Sequence, residues 1–152
     1  MKVSTKGRNA LRLIIDLGLN GSDGSYISLK DVSKRQNISV KYLEQIVTPL
    51  SRAGMVRSAR GAQGGYRLSK DPKDYTAGDI LRALEGSLAP ISCLEFMPNE
   101  CEQHDMCATI EFWEGMNKVI TDYVDSVTLE QLIEQQKRRV MVHGSCGDCK
   151  GC

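Results

Sequence analysis

Six cysteines stand in this chain of 152 residues, and every one of them follows residue 92. Cys93, Cys101 and Cys107 are separated by seven and then five residues, and Cys146, Cys149 and Cys152 close the chain at gaps of two. Thiolates bind iron strongly, and three on one connector can hold one face of an iron–sulphur cluster while a fourth group completes it. The candidates for that fourth group are His104, Asp105, Glu102, Glu111, a tail cysteine or a group from a second subunit. Three thiolates and a histidine also suit tetrahedral zinc, and reduced thiols with no metal are the plainest alternative. A disulfide scaffold is excluded, because the first 92 residues hold no cysteine at all. Enzymatic chemistry has little to draw on. The two histidines, His104 and His143, have no nucleophile with an orienting partner nearby in sequence.

The elements that must carry these thiols are mostly helical. Apolar residues at Leu11, Ile14, Ile15 and Leu17 predict a helix over about 5–19, ended by Asn20-Gly21. Ser28, with Asp31 three residues on, caps a short second helix. Ser39 caps a third, about 40–53, whose inward stripe is Leu43, Ile46, Val47 and Leu50. Pro49 lacks an amide donor and predicts a kink or break near Gln45. Met55–Ala59 and Tyr66–Ser69 flank a glycine-rich tip and predict a β-hairpin. Thr76 opens a fourth helix with Asp79 at the capping-box spacing. From about Ala108 a long helix carries Trp113, Met116, Ile120, Tyr123 and Val127 at spacings of 3, 4, 3 and 4, the pattern of a coiled-coil seam. Thr128 caps a short last helix, and weak periodicity from Lys137 onward predicts a flexible tail.

Helix, helix, turn, helix and a glycine-tipped hairpin is the order of a winged helix-turn-helix. The fold class is therefore mainly α with a small β-hairpin wing. The chain divides into a winged domain (1–86), a cysteine-rich connector (87–107), dimerisation helices (108–136) and a tail (137–152). Charge follows this division. Residues 1–75 hold 14 Lys/Arg against 6 Asp/Glu, whereas 76–152 hold 6 against 13. A basic front points to a polyanion such as double-stranded DNA. With the aliphatic stripe inward, the third helix presents Ser39, Lys41, Tyr42, Glu44 and Gln45 to a major groove, where such side chains read base edges or grip phosphate. Glu44 also repels base acceptors at a wrong site. Arg60 at the hairpin tip suits a narrow minor groove, and Lys6, Arg8 and Arg12 suit the phosphate backbone. No apolar run is long enough to span a membrane and no leader is read at the N-terminus, so the expected location is cytoplasmic.

The segments Met1–Arg12, Ile38–Gln45 and Val56–Tyr66 closely resemble the IscR-type iron–sulphur cluster regulators, bacterial winged-helix repressors whose relatives include nitric-oxide sensors (NsrR) and regulators of cysteine metabolism (CymR). The likeness covers about residues 1–135. It implies a homodimer bound to a palindromic operator, a cluster on Cys93, Cys101 and Cys107, [2Fe-2S] ahead of [4Fe-4S], and cluster-assembly proteins as its donors. It also implies recognition roles for Ser39, Tyr42 and Glu44 and a minor-groove role for Arg60. Two positions depart from the pattern. Ile110 stands where that family places a histidine ligand, and Arg8 stands where some nitric-oxide sensors place an aspartate. The fourth ligand stays open. A cluster-free regulator of sulphur metabolism is the second reading, and a cluster carrier the third. The CxxCxxC tail matches half of a ferredoxin run without its fourth thiol and carries no second cluster in this reading.

Overall fold

The computed structural model describes residues 3–96 and 98–143. Each of the first three helices begins where a serine side chain satisfies an otherwise unpaired amide. Ser4 accepts from the Gly7 amide and opens α1 (Thr5–Asn20). Ser28 accepts from Asp31 and opens α2 (Leu29–Gln36), and Ser39 accepts from Tyr42 and opens α3 (Val40–Arg52). Between α2 and α3, Asn37 takes the left-handed conformation at φ 53°, which turns the chain within two residues. Contrary to the expected break, α3 runs unbroken through Pro49. The proline sits one turn from the helix end and deletes a single hydrogen bond, while fully buried Leu43, Ile46 and Leu50 hold the helix from its other face.

The wing is an antiparallel pair, β1 (Val56–Ala59) with β2 (Gly65–Leu68), in the register Val56↔Leu68, Arg57↔Arg67. Ile27, just ahead of α2, adds a one-residue bridge on the far side of β2 by exchanging two backbone bonds with Tyr66 at 2.8 and 2.9 Å. That approach requires glycine at 65, where φ is 153° and a Cβ would collide with the Ile27 carbonyl. Tyr75 locks the base of the wing. Its hydroxyl accepts from the Ser69 and Lys70 amides and donates to the Met55 carbonyl at 2.8 Å, and burial raises its pKa.

Thr76 and Asp79 form the capping box of α4 (Ala77–Glu85). A long connector with two 3₁₀ turns then leads to α5 (Ile110–Ser126), and α6 (Leu129–His143) follows after a single turn. Leu129 and Ile133 of α6 return to the core formed by Ala10, Leu13, Ile14, Leu17, Val32, Leu43, Ile46, Leu50 and Ile80. Two backbone bonds, Ala77 N–H to Val127 and Leu129 N–H to Tyr75, tie the α5–α6 corner to the start of α4. The tail expectation is corrected in part. Residues 137–143 are the last turns of α6, since no Gly or Pro interrupts before Gly144 and Lys137 pairs with Glu134 at 2.8 Å. Cys146, Cys149 and Cys152 lie outside the described residues.

Candidate nucleic-acid interface and cysteine connector

The α3 side chains divide as the aliphatic stripe dictates. Ser39, Lys41, Glu44 and Gln45 are exposed, and Tyr42 is half-buried, its ring resting on the core. The Ser39 hydroxyl is occupied as an acceptor by its own cap but keeps its proton to donate. Arg60 is exposed at the wing tip, Arg8 is exposed on the first turn of α1, and Lys6 beside it is half-buried. Arg12 serves differently from expectation. Its guanidinium donates to the Gln36 carbonyl at 2.7 Å, to the Gln36 side chain and to Asn9, so it closes the C-terminal end of α2 rather than standing ready for phosphate.

One network that sequence reasoning missed sets how α2 sits on α1. Asp16, 2 % exposed, accepts two bonds from Arg35 at 2.6 and 3.0 Å and a third from Gln36 at 2.9 Å. This holds the Arg35 guanidinium more firmly charged than usual. The only sequence sign was a carboxylate interrupting an apolar run, with no local pattern naming a partner nineteen residues away.

The three candidate thiols lie on the connector between α4 and α5. Cys93 is in the 3₁₀ turn Ser92–Leu94, Cys101 is half-buried, and Cys107 is exposed just before α5. The Cys107 sulphur lies 3.5 Å from the Thr109 hydroxyl, and this contact, with the Thr109 amide, lowers its pKa towards the thiolate. Asn99 accepts from the Cys101 amide at 2.9 Å through Oδ1, while its Nδ2 is buried with no partner among the described residues. An orphaned N–H donor on the connector that carries the thiols is chemically suited to sulphur ligands. The donor set therefore fits an iron–sulphur centre. It is not pre-assembled, because no three His, Cys, Asp or Glu side chains converge to metal-binding geometry among the described residues.

The fourth-ligand candidates differ in readiness. His104 has both ring nitrogens engaged, Nδ1 with Asp105 at 3.0 Å and Nε2 with Glu114 at 3.2 Å. These bonds raise its pKa and favour the protonated, non-ligating form. Asp105, Glu102 and Glu111 are exposed.

On α5 the structure splits the expected seam. Met116 and Tyr123 are exposed and share a stripe with Phe112 and Val119, at spacings of 4, 3 and 4. Trp113 and Ile120 are half-buried on the adjoining face, the one that also carries Val124 over Gly78 of α4. Val127 stands just beyond the last helical residue, and its carbonyl accepts from the Ala77 amide. None of the helices is long and apolar enough to cross a membrane among the described residues.

Known proteins share this fold. A family model described as Rrf2, iron-dependent transcriptional regulator, matches residues 3–135. The HTH-type transcriptional regulator CymR of Bacillus subtilis is 42 % identical over 132 residues, which cover 87 % of this chain and 89 % of that protein. The solved structure of CymR, the global cysteine regulator of B. subtilis, superposes with a TM-score of 0.73 at 40 % identity, covering 89 % of this chain and 98 % of that one. The structure of T. potens IscR superposes with a TM-score of 0.71 at 35 % identity, covering 99 % and 94 %.

Proposed function

The chain belongs to the Rrf2 family of DNA-binding transcriptional regulators, which are not enzymes, and from that premise we propose that it is a homodimeric sensor of iron–sulphur cluster status. The observation that carries this reading is the placement of Cys93, Cys101 and Cys107 on the one connector that joins the winged domain to α5. When bound there, a cluster supplies a centre whose gain, loss or oxidation is itself the signal. The chain's residues do the rest. Cys93, Cys101 and Cys107 would supply the thiolates that hold the cluster, and the Thr109 contact lowers the Cys107 pKa. Asn99 offers its unpaired donor beside Cys101, and [2Fe-2S] is the cluster type we favour.

Drawing the thiols together closes the connector on the N-terminal end of α5. The other end of α5 stays tied to α4 by the Val127–Ala77 bond and the Arg82–Asp125 pair, at 2.7 and 2.9 Å. A change in the connector therefore tilts α5, and with it the partner copy that the exposed stripe Phe112, Met116, Val119 and Tyr123 would carry. The spacing of the two α3 helices on a palindromic operator follows that tilt. Ser39, Lys41, Tyr42, Glu44 and Gln45 would lie in each major groove, with Arg60 in the flanking minor groove and Lys6 and Arg8 on phosphates.

The test is purification without oxygen from cells supplied with iron and cysteine, followed by absorption spectroscopy and iron and sulphide analysis. A coloured dimer that loses both iron and sulphide in the Cys93→Ala variant is expected. A colourless protein whose operator binding ignores Cys93→Ala would instead establish the second reading, a cluster-free regulator of cysteine metabolism. That reading draws on the similarity to CymR.

A further inference from the structure

The outer face of the wing carries two arginines directly opposite each other, Arg57 on β1 and Arg67 on β2. Like charges in that register sit with their Cβ atoms about 5 Å apart and repel each other, so the pairing weakens the hairpin unless something negative lies between them. Arg67 is fixed in place. Its guanidinium donates to the Gly24 carbonyl at 3.0 Å and lies 4.7 Å over the Tyr26 ring. The two arginines border a cleft of about 340 Å³ that Ser22, Ser69 and Lys70 also line. One carboxylate, Asp71, reaches this cleft, and it faces Lys73 at 3.4 Å. Among the described residues no carboxylate pairs with Arg57, Arg67 or Lys70. Three cationic residues and one carboxylate residue, Asp71, thus border one concave surface, and among the described residues none of the three cations is in an ion pair.

We infer that Arg57, Arg67 and Lys70 form an oxyanion site of the phosphate class on the outer face of the wing. A guanidinium pair offers forked donors that match a tetrahedral oxyanion, and the lysine adds a point charge. Arg57 is three residues from Arg60, about 10 Å along an extended strand. That distance lets one hairpin hold a backbone phosphate at its side while its tip enters the minor groove. The phosphate can belong to a DNA backbone or to a free small oxyanion. Only the first source rests on the proposed DNA-binding function; the site itself rests on the hairpin geometry.

The experiment compares full-length wild type, R57Q/R67Q and a charge-matched control on α6, R138Q/R139Q. Inorganic phosphate is titrated at constant ionic strength and the melting temperature followed. Each protein's affinity for a duplex is measured from 50 to 200 mM salt. A shallower salt dependence for R57Q/R67Q alone, by about 0.9 in slope for each phosphate that the variant no longer neutralises, assigns the site to DNA. A phosphate-induced rise in melting temperature that the control keeps and R57Q/R67Q loses assigns it to a free oxyanion. The inference is overturned if R57Q/R67Q matches the control in both measurements. Should wild type bind no duplex, the DNA-binding function fails and the phosphate titration alone decides the site. Arg57→Gln, which leaves Arg67 on Tyr26, repeats the comparison if the double variant does not fold. Relief of like-charge repulsion predicts that Arg57→Gln, which keeps the Arg67 contacts to Gly24 and Tyr26, melts no lower than wild type in phosphate-free buffer.

Discussion

Asp16 and Arg35 show how one buried charge fixes the orientation of a DNA-reading module. The carboxylate is 2 % exposed and the guanidinium 38 % exposed, so the two partners differ in what their loss leaves behind. Arg35→Ala strands a buried carboxylate with only the Gln36 and Asn20 side chains to hold it, and is expected to cost about 3 kcal/mol. Asp16→Ala leaves a guanidinium that can turn to water, and is expected to cost less, about 1–2 kcal/mol. Urea unfolding of both variants checks the order, and equal losses would show that the carboxylate is not the more deeply committed partner. The residues that meet DNA in our reading were legible in the sequence because an outward face is the complement of an apolar stripe. The Asp16 network and the repurposing of Arg12 were not. Each depends on a partner in the next helix, whose approach no local periodicity encodes.

At the level of elements, caps and turns announced themselves. Ser28, Ser39 and the Thr76–Asp79 box begin helices where their spacing predicts. The α5 face did not. That helix carries apolar residues on two adjoining faces, and a 3–4 alternation fits either; only docking against α4 decides which face is spent at home. Val119→Asp is therefore expected to leave the protomer folded and to shift the sedimenting species from dimer to monomer. Ile120→Ala is expected to lower protomer stability by about 1–3 kcal/mol while the dimer persists. The reverse pattern would restore the seam through Trp113 and Ile120. The α4–α5 tie has its own signature in pH. The Arg82 hydrogen bonds hold the Asp125 carboxyl below the usual carboxylate range. A depressed folded pKa contributes stability that is complete above the ordinary aspartate value, about 3.9, and disappears as pH falls through the folded value. Both side chains are more than a third exposed, so the contribution is roughly 0.2–1 kcal/mol. Asp125→Asn should remove that acid-side loss as the pH falls below about 4 and leave the rest of the stability profile unchanged.

The whole molecule is a basic reading head fixed to an acidic stalk, with 14 Lys/Arg against 6 Asp/Glu in residues 1–75 and the balance reversed beyond them. In the proposed reading, the acidic half would repel the duplex and so confine it to the α3 and wing face. The head does not hang on a loose linker. Leu129 and Ile133 are buried in its core, two backbone bonds join the α5–α6 corner to α4, and Arg82 clamps Asp125. If two copies pair through α5, the separation of their α3 helices is consequently set by packed structure and not by chain entropy. A flexibly tethered pair of heads would tolerate altered half-site spacing at a modest entropic cost; a rigid pair cannot. Half-sites one helical turn apart lie about 34 Å from each other on one face of the duplex. Inserting five base pairs between them turns one half-site to the opposite face, and is expected to reduce affinity to that for unrelated duplex, a loss of about 10³-fold or more at fixed salt. Fluorescence anisotropy with the native and the lengthened operator measures this directly. A loss of only a fewfold would mean that the heads move independently of α5, and the connector could then not pass its state to DNA by tilting that helix.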